Sequence, residues 1–162
     1  MDSGELELHG EKYEVKSMVE AQNHGVAMIV QEAATFPGLD VASNIFAGRL
    51  EQYTKCGFLD WNTIYAEADR ILEDIGVPEI KGRMNIEQLN FEDRKIVEIA
   101  RAMVNKPEIL IIDETTTALA TKGRKLIYAL IERMHKENKA VLFISHDLDE
   151  LMERCNTITV LR

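Results

Sequence analysis

Apolar residues follow two rhythms along this chain. In three short runs they are continuous, at residues 26–30, 109–112 and 140–144. Short aliphatic runs bounded by polar residues predict strands buried on both faces of a sheet. Elsewhere apolar residues recur every three or four positions. Ile64, Ala68, Ile71, Leu72 and Ile75 predict a helix capped by Asp60 and ended by Gly76 and Pro78. Ile96, Val97, Ala100, Met103 and Val104 predict a second, capped by Asn90, and Leu126, Ile127, Leu130, Ile131 and Met134 a third over 122–137. Ser17-Met18-Val19-Glu20 has capping-box spacing and predicts a short helix that stops at Gly25. Phe36-Pro37-Gly38 reads as a turn, after which Asp40 caps a short helix through Phe46, stopped by Gly48. Near the start, Leu6, Leu8, Tyr13 and Val15 flank His9-Gly10-Glu11 and predict a small antiparallel hairpin. Near the end, a short helix through Glu153 precedes a final strand at 157–161.

These elements imply an α/β fold with an insertion. No strand pattern interrupts residues 33–105, which read as a helical subdomain between two parts of a sheet-containing core, 1–32 and 106–162. With 162 residues the chain is long enough for a single domain with a real core. A net charge of −9 argues against non-specific nucleic-acid binding, which needs a basic footprint. No apolar run approaches membrane-spanning length, and the acidic first residues do not form a signal peptide. Cys56 and Cys155 lack metal-site spacing and read as reduced thiols.

The candidate chemistry sits where the apolar runs end. Gln31 follows the first, Asp113 and Glu114 the second, His146 the third. In an open α/β sheet, ligands bind at the carboxyl ends of the strands. If the three strands are parallel neighbours, the four polar residues converge at one edge. A carboxylate for Mg²⁺, a second carboxylate to polarise a water, and neutral hydrogen-bonding groups for a γ-phosphate suit a nucleoside triphosphate site. Any one of these residues alone has an ordinary structural reading; their order and spacing carry the argument.

The same stretches resemble the ATP-binding-cassette family, in particular the first cassette of the monosaccharide importers. The resemblance runs through Asp2-Ser3-Gly4-Glu5-Leu6-Glu7-Leu8-His9-Gly10, residues 25–32 with a Q-loop glutamine, and residues 41–48. It continues through Val97-Glu98-Ile99-Ala100-Arg101-Ala102, residues 109–114, and Ile144-Ser145-His146-Asp147-Leu148-Asp149-Glu150. It implies a partial P-loop NTPase (RecA-like) sheet with an inserted helical subdomain and an N-terminal antiparallel hairpin. It implies ATP and Mg²⁺ as ligands, with Asp113 as the Walker B aspartate acting on Mg²⁺ through water. Glu114 would face the hydrolytic water, Gln31 would touch Mg²⁺ or that water, and His146 would contact the γ-phosphate. Asn90 and Asp93 would belong to a signature motif that binds nucleotide held by a second cassette. The implied partners are that cassette and a membrane permease, near Phe36 and residues 40–48, on the cytoplasmic face of the cell membrane.

Four departures qualify the resemblance. The sequence contains no G-x-x-x-x-G-K-[ST], whose backbone amides and lysine would cradle phosphates. In the family that loop precedes the stretch matching Asp2-Ser3-Gly4-Glu5, so the chain reads as a cassette lacking a central strand and its helix. Self-association through the uncovered apolar surface is then expected. The signature position reads Leu89-Asn90-Phe91-Glu92-Asp93 rather than Leu-Ser-Gly-Gly-Gln, and a Glu92 carboxylate facing a triphosphate would be repulsive. Thr115 replaces the family's proline, and Ala120 stands where the D-loop often ends in aspartate. The sequence leaves three functions open: part of an ATPase that powers sugar import, a non-catalytic module that docks on a permease or on another cassette, and an unrelated α/β domain.

Overall fold

A computed structural model describes residues 4–31 and 35–161. Asp2, Ser3 and Glu32 of the matching stretches lie outside these residues. Strands β1 (Glu7–Leu8) and β2 (Glu11–Lys12) form the expected antiparallel hairpin. In helix α1 (Met18–Asn23) the Ser17 hydroxyl accepts from the Glu20 N–H at 3.1 Å. The Glu20 carboxylate reaches back to the Lys16 N–H, one residue earlier than a standard capping box, at 2.8 Å. Gly25, at φ +80°, turns the chain from α1 into strand β3 (Val26–Ile29).

The middle of the chain is mainly helical. It contains helix α2 (Val41–Ile45), a 3₁₀ turn (Leu50–Tyr53), strands β4 (Thr54–Lys55) and β5 (Phe58–Leu59), helices α3 (Trp61–Asp74) and α4 (Phe91–Met103), and a 3₁₀ turn (Ile86–Gln88) between those two helices. Asp40, Asp60 and Asn90 cap α2, α3 and α4 through their side chains. The expectation that no strand interrupts this region is corrected by β4 and β5, which pair antiparallel. Cys56 and Gly57 turn the hairpin with φ of +50° and +84°. Positive φ at both central residues matches the right-handed twist of a tight hairpin. Each strand is two residues long, which leaves no alternation to read. Cys56 is exposed at the tip, whereas Cys155, the other cysteine, is half-buried.

The rest of the chain alternates. Strand β6 (Ile109–Asp113) leads to a 3₁₀ turn (Thr115–Ala118) and helix α5 (Thr121–Lys136). Strand β7 (Ala140–Ile144) then leads to helix α6 (Leu148–Arg154). β3, β6 and β7 form one parallel sheet in the order β3-β6-β7, with Ile29 opposite Ile112 and Asp113 opposite Ile144. Two apolar clusters result. Val41, Ile45, Ile64, Ala68 and Leu72 pack with Ile96, Val97 and Ala100. Ala27, Ile29, Leu110 and Ile112 pack with Ile127, Leu130 and Met134 and with Ile99 and Met103. Helix α4 contributes to both clusters and is their shared wall.

Two strand expectations are corrected at the end of the chain. β7 is not buried on both faces: Leu142 is 54% and Ile144 41% exposed. Among the described residues it pairs only with β6, and α5 covers only one of its faces. Residues 157–161 form no strand and pair with none of the described strands. They line a groove of about 920 Å³ together with Val141, Leu142, Phe143 and Ile144. The alternation at Ile158 and Val160 is that of a strand; a strand needs a neighbour to exist.

Candidate active site

The parallel register brings the carboxyl ends of β3, β6 and β7 to one end of the sheet. Gln31, Asp113, Glu114 and His146 all lie there. The ladder between β6 and β7 continues one bond beyond Asp113, the Glu114 N–H donating to the Ile144 carbonyl at 2.9 Å. Glu114 then adopts a left-handed conformation, φ +46°, uncommon for a side-chain-bearing residue, and turns the chain out of the sheet. Its carboxylate lies 4.0 Å from His146 Nδ1, and both side chains are open to solvent. This contact joins the end of β6 to the end of β7.

The chain behind these residues is held by buried polar groups. Lys95 on α4 is fully buried; its ammonium donates to the carbonyls of Val30 and Gln31, the latter at 3.2 Å. It also pairs with Glu98 at 2.8 Å. A buried ion pair recovers its desolvation cost only with additional hydrogen bonds, and the two carbonyls supply them. The Thr115 hydroxyl donates to the Asp113 carbonyl at 3.1 Å and lies 3.4 Å from the carbonyls of Ile29 and Val30. A proline there, as in the resembled family, has no such donor. Nearby, Glu150 on α6 is 9% exposed and accepts from the hydroxyls of Thr116, Ser145 and Tyr128.

Asn90 and Asp93 stand at the start of α4, where their hydrogen bonds are to each other. Asn90 Oδ1 accepts from the Asp93 N–H and Asn90 Nδ2 donates to the Asp93 carboxylate, both at 2.9 Å. Glu92 does not have the role expected of it. Its carboxylate accepts from the Gly123 N–H in the first turn of α5 at 2.7 Å. That helix has Ala120 at its N-cap, with no side-chain capping bond. Glu92 therefore supplies the anion and acceptor that Ala120 cannot. The contact needs glycine, because a Cβ on Gly123 would stand 2.9 Å from Glu92 Oε1 and 2.8 Å from Leu119 Cδ2.

Among the described residues, no three His, Cys, Asp or Glu side chains cluster closely enough to hold a metal by themselves. The donor set at the strand ends still suits Mg²⁺, which takes one or two carboxylates and completes its shell with water and substrate phosphates. Sequence reasoning missed Lys95, Thr116, Tyr128 and Glu150. Lys95 follows Glu92, Asp93 and Arg94 directly, so its own neighbours in the sequence carry no signal of burial.

Comparison with known proteins follows the same line. Residues 1–117 match the model of the "ABC transporter" family. A ribose import ATP-binding protein from Caldanaerobacter subterraneus subsp. tengcongensis is 36% identical over 161 residues, covering 99% of this chain and 32% of its own length. An arabinose import ATP-binding protein from Chromohalobacter salexigens is 32% identical over 160 residues, with the same two coverages. The chain thus spans about a third of the length of these curated relatives. A solved metal-chelate type ABC transporter in an inward-facing conformation superposes with a TM-score of 0.65 at 17% identity. The superposition covers 82% of this chain and 52% of that one, and bears on the fold alone.

Proposed function

Because the chain belongs to the ABC transporter family, we propose that its strand-end residues are the hydrolytic half of an ATP site in the ATP-binding subunit of a sugar importer. The observation that carries this reading is the parallel register of β3, β6 and β7, with Glu114 and His146 4.0 Å apart at the sheet's carboxyl end. Sugar import comes from the names of the relatives.

In this reading Glu114 accepts the proton of the attacking water, and its exposure leaves room for that water. His146 offers a ring nitrogen to the γ-phosphate. Gln31 orients the water or a metal aquo ligand, and Lys95 fixes the backbone from which it acts. Asp113, with phosphate oxygens, would hold Mg²⁺, which supplies charge neutralisation on the triphosphate. Asn90 and Asp93 would present the start of α4 to nucleotide on a second cassette; with Glu92 turned onto α5, that surface is less repulsive than the sequence suggests. Residues 1–32 and 106–162 form the core and 33–105 the helical subdomain of a single cassette domain. A permease docks near Phe36 and residues 40–48, on the cytoplasmic side of the membrane. Among the described residues no helix is long and apolar enough to cross a membrane.

The phosphate-binding loop is the part these 162 residues do not supply, since no G-x-x-x-x-G-K-[ST] occurs in them. That favours a second reading, a non-catalytic module that associates with a permease or a cassette. Calorimetric titration with Mg-ATP tests whether the chain binds nucleotide by itself. Weak or absent binding is expected, and micromolar binding would show that the chain has a complete phosphate site of its own. If the hydrolytic reading holds, a longer protein in which a G-x-x-x-x-G-K-[ST] segment precedes Met1 hydrolyses ATP. There Glu114→Gln lowers turnover by about 10²–10⁴-fold with nucleotide binding retained, the usual weight of a general base. Turnover unchanged by that substitution would remove Glu114 from the reaction.

A further inference from the structure

We infer that Glu150 is a positioning residue that sets the loop carrying Glu114 against the loop carrying His146. Its carboxylate is nine-tenths buried and joins three elements. One oxygen accepts from Thr116 Oγ1 at 3.0 Å and from Ser145 Oγ at 2.9 Å. Thr116 lies two residues beyond Glu114, and Ser145 immediately precedes His146. The other oxygen accepts from the Tyr128 hydroxyl of α5 at 2.6 Å, and Arg154 lies over the Tyr128 ring at 4.3 Å. The contact is stiffened from both sides. Ser145 Oγ also accepts from the Asp147 N–H at 3.1 Å, and Arg124 Nε donates to the carbonyls of Thr116 and Leu119, each at 3.1 Å.

A buried carboxylate served by hydroxyls is costly to keep, and losing any one donor leaves the charge less satisfied. Glu150 therefore favours the one arrangement in which both loops meet it. The strand ladder carries the two loops only as far as the Glu114 N–H. Beyond that bond, the shared carboxylate oxygen relates Thr116 to Ser145, alongside the 4.0 Å approach of Glu114 to His146. The value of this clamp to hydrolysis rests on the function proposed above; the clamp itself is tested without nucleotide.

The test is amide hydrogen exchange on the 162-residue chain, with NMR of the His146 ring. Glu150→Ala should speed exchange of the Leu119 and Asp147 amides together by about tenfold, the weight of one hydrogen bond to a charged group. The His146 ring resonances should shift. Glu150→Gln should restore both, since its amide oxygen can accept from the two loop hydroxyls while its NH₂ donates to the Tyr128 oxygen. The milder variants provide a reciprocal check if Glu150→Ala unfolds the chain. Ser145→Ala should speed exchange at Leu119 on the opposite loop, and Thr116→Val at Asp147. Acceleration confined to 145–154, or loop variants without a cross effect, would mean that Glu150 only anchors α6 and would overturn the inference.

Discussion

At the scale of single residues, two departures from the resembled family repair each other. Ala120 gives α5 no cap, and Glu92, 31 positions away from Gly123, delivers the missing acceptor. Losing a cap typically costs about 1 kcal/mol. Glu92→Ala should therefore lower stability by about that much. Ala120→Asp should recover most of it in the Glu92→Ala background yet add little to the parent chain, where the N-terminal amides are already served. Urea denaturation of the four proteins reads the coupling, and strict additivity would sever the link between the two sites. The pair also marks a limit of sequence reading. Ser17, Asp40, Asp60 and Asn90 were legible as caps because each binds an amide three residues on. Glu92 looks like a charge aimed at phosphate until the fold brings α5 alongside. Lys95 has the same obscurity: nothing local says that its ammonium ends on two carbonyls some 64 and 65 positions away.

At the scale of elements, the long helices and the three parallel strands were legible because their periodicity reports burial directly. What the pattern could not give was how many sides of each element are covered. β6 and β7 have similar apolar sequences, but β6 lies between two strands and β7 does not. The strand pattern of 157–161 likewise stays unrealised, with no pairing to any described strand. The contact between α5 and α6 has a pH signature. Burial first, then the hydrogen bond and charge of Glu150, push the Tyr128 phenol up to about 12. An unfolded tyrosine titrates near 10. The folded state thus keeps a proton that the unfolded state gives up. The contribution is complete below about pH 10 and is lost as pH rises towards about 12. Tyr128→Phe should flatten the fall in stability over that alkaline range, as measured by urea midpoints from about pH 9 to about pH 12. An unchanged slope would mean that Tyr128 does not carry it.

At the scale of the whole molecule, two apolar clusters share α4, so the helical part and the sheet cannot shift without repacking that helix. The sheet ends on one side in an uncovered strand beside an apolar groove. An uncovered edge with exposed Leu142 and Ile144 is a template for pairing with another chain. Leu142→Lys should reduce self-association in sedimentation experiments while changing stability by no more than about 0.5 kcal/mol, as for other exposed positions. Association that survives the substitution would place the contact elsewhere. The β4–β5 hairpin has a different consequence. Its Cys56 is exposed at a turn tip, whereas burial and the Glu150 charge push the Cys155 thiol up and away from reactivity. The molecule therefore carries a native attachment point for a single fluorophore or spin label on its helical part. Because the tip is remote in sequence from Glu114 and His146, a probe there can follow the helical part while the candidate chemistry keeps its wild-type residues.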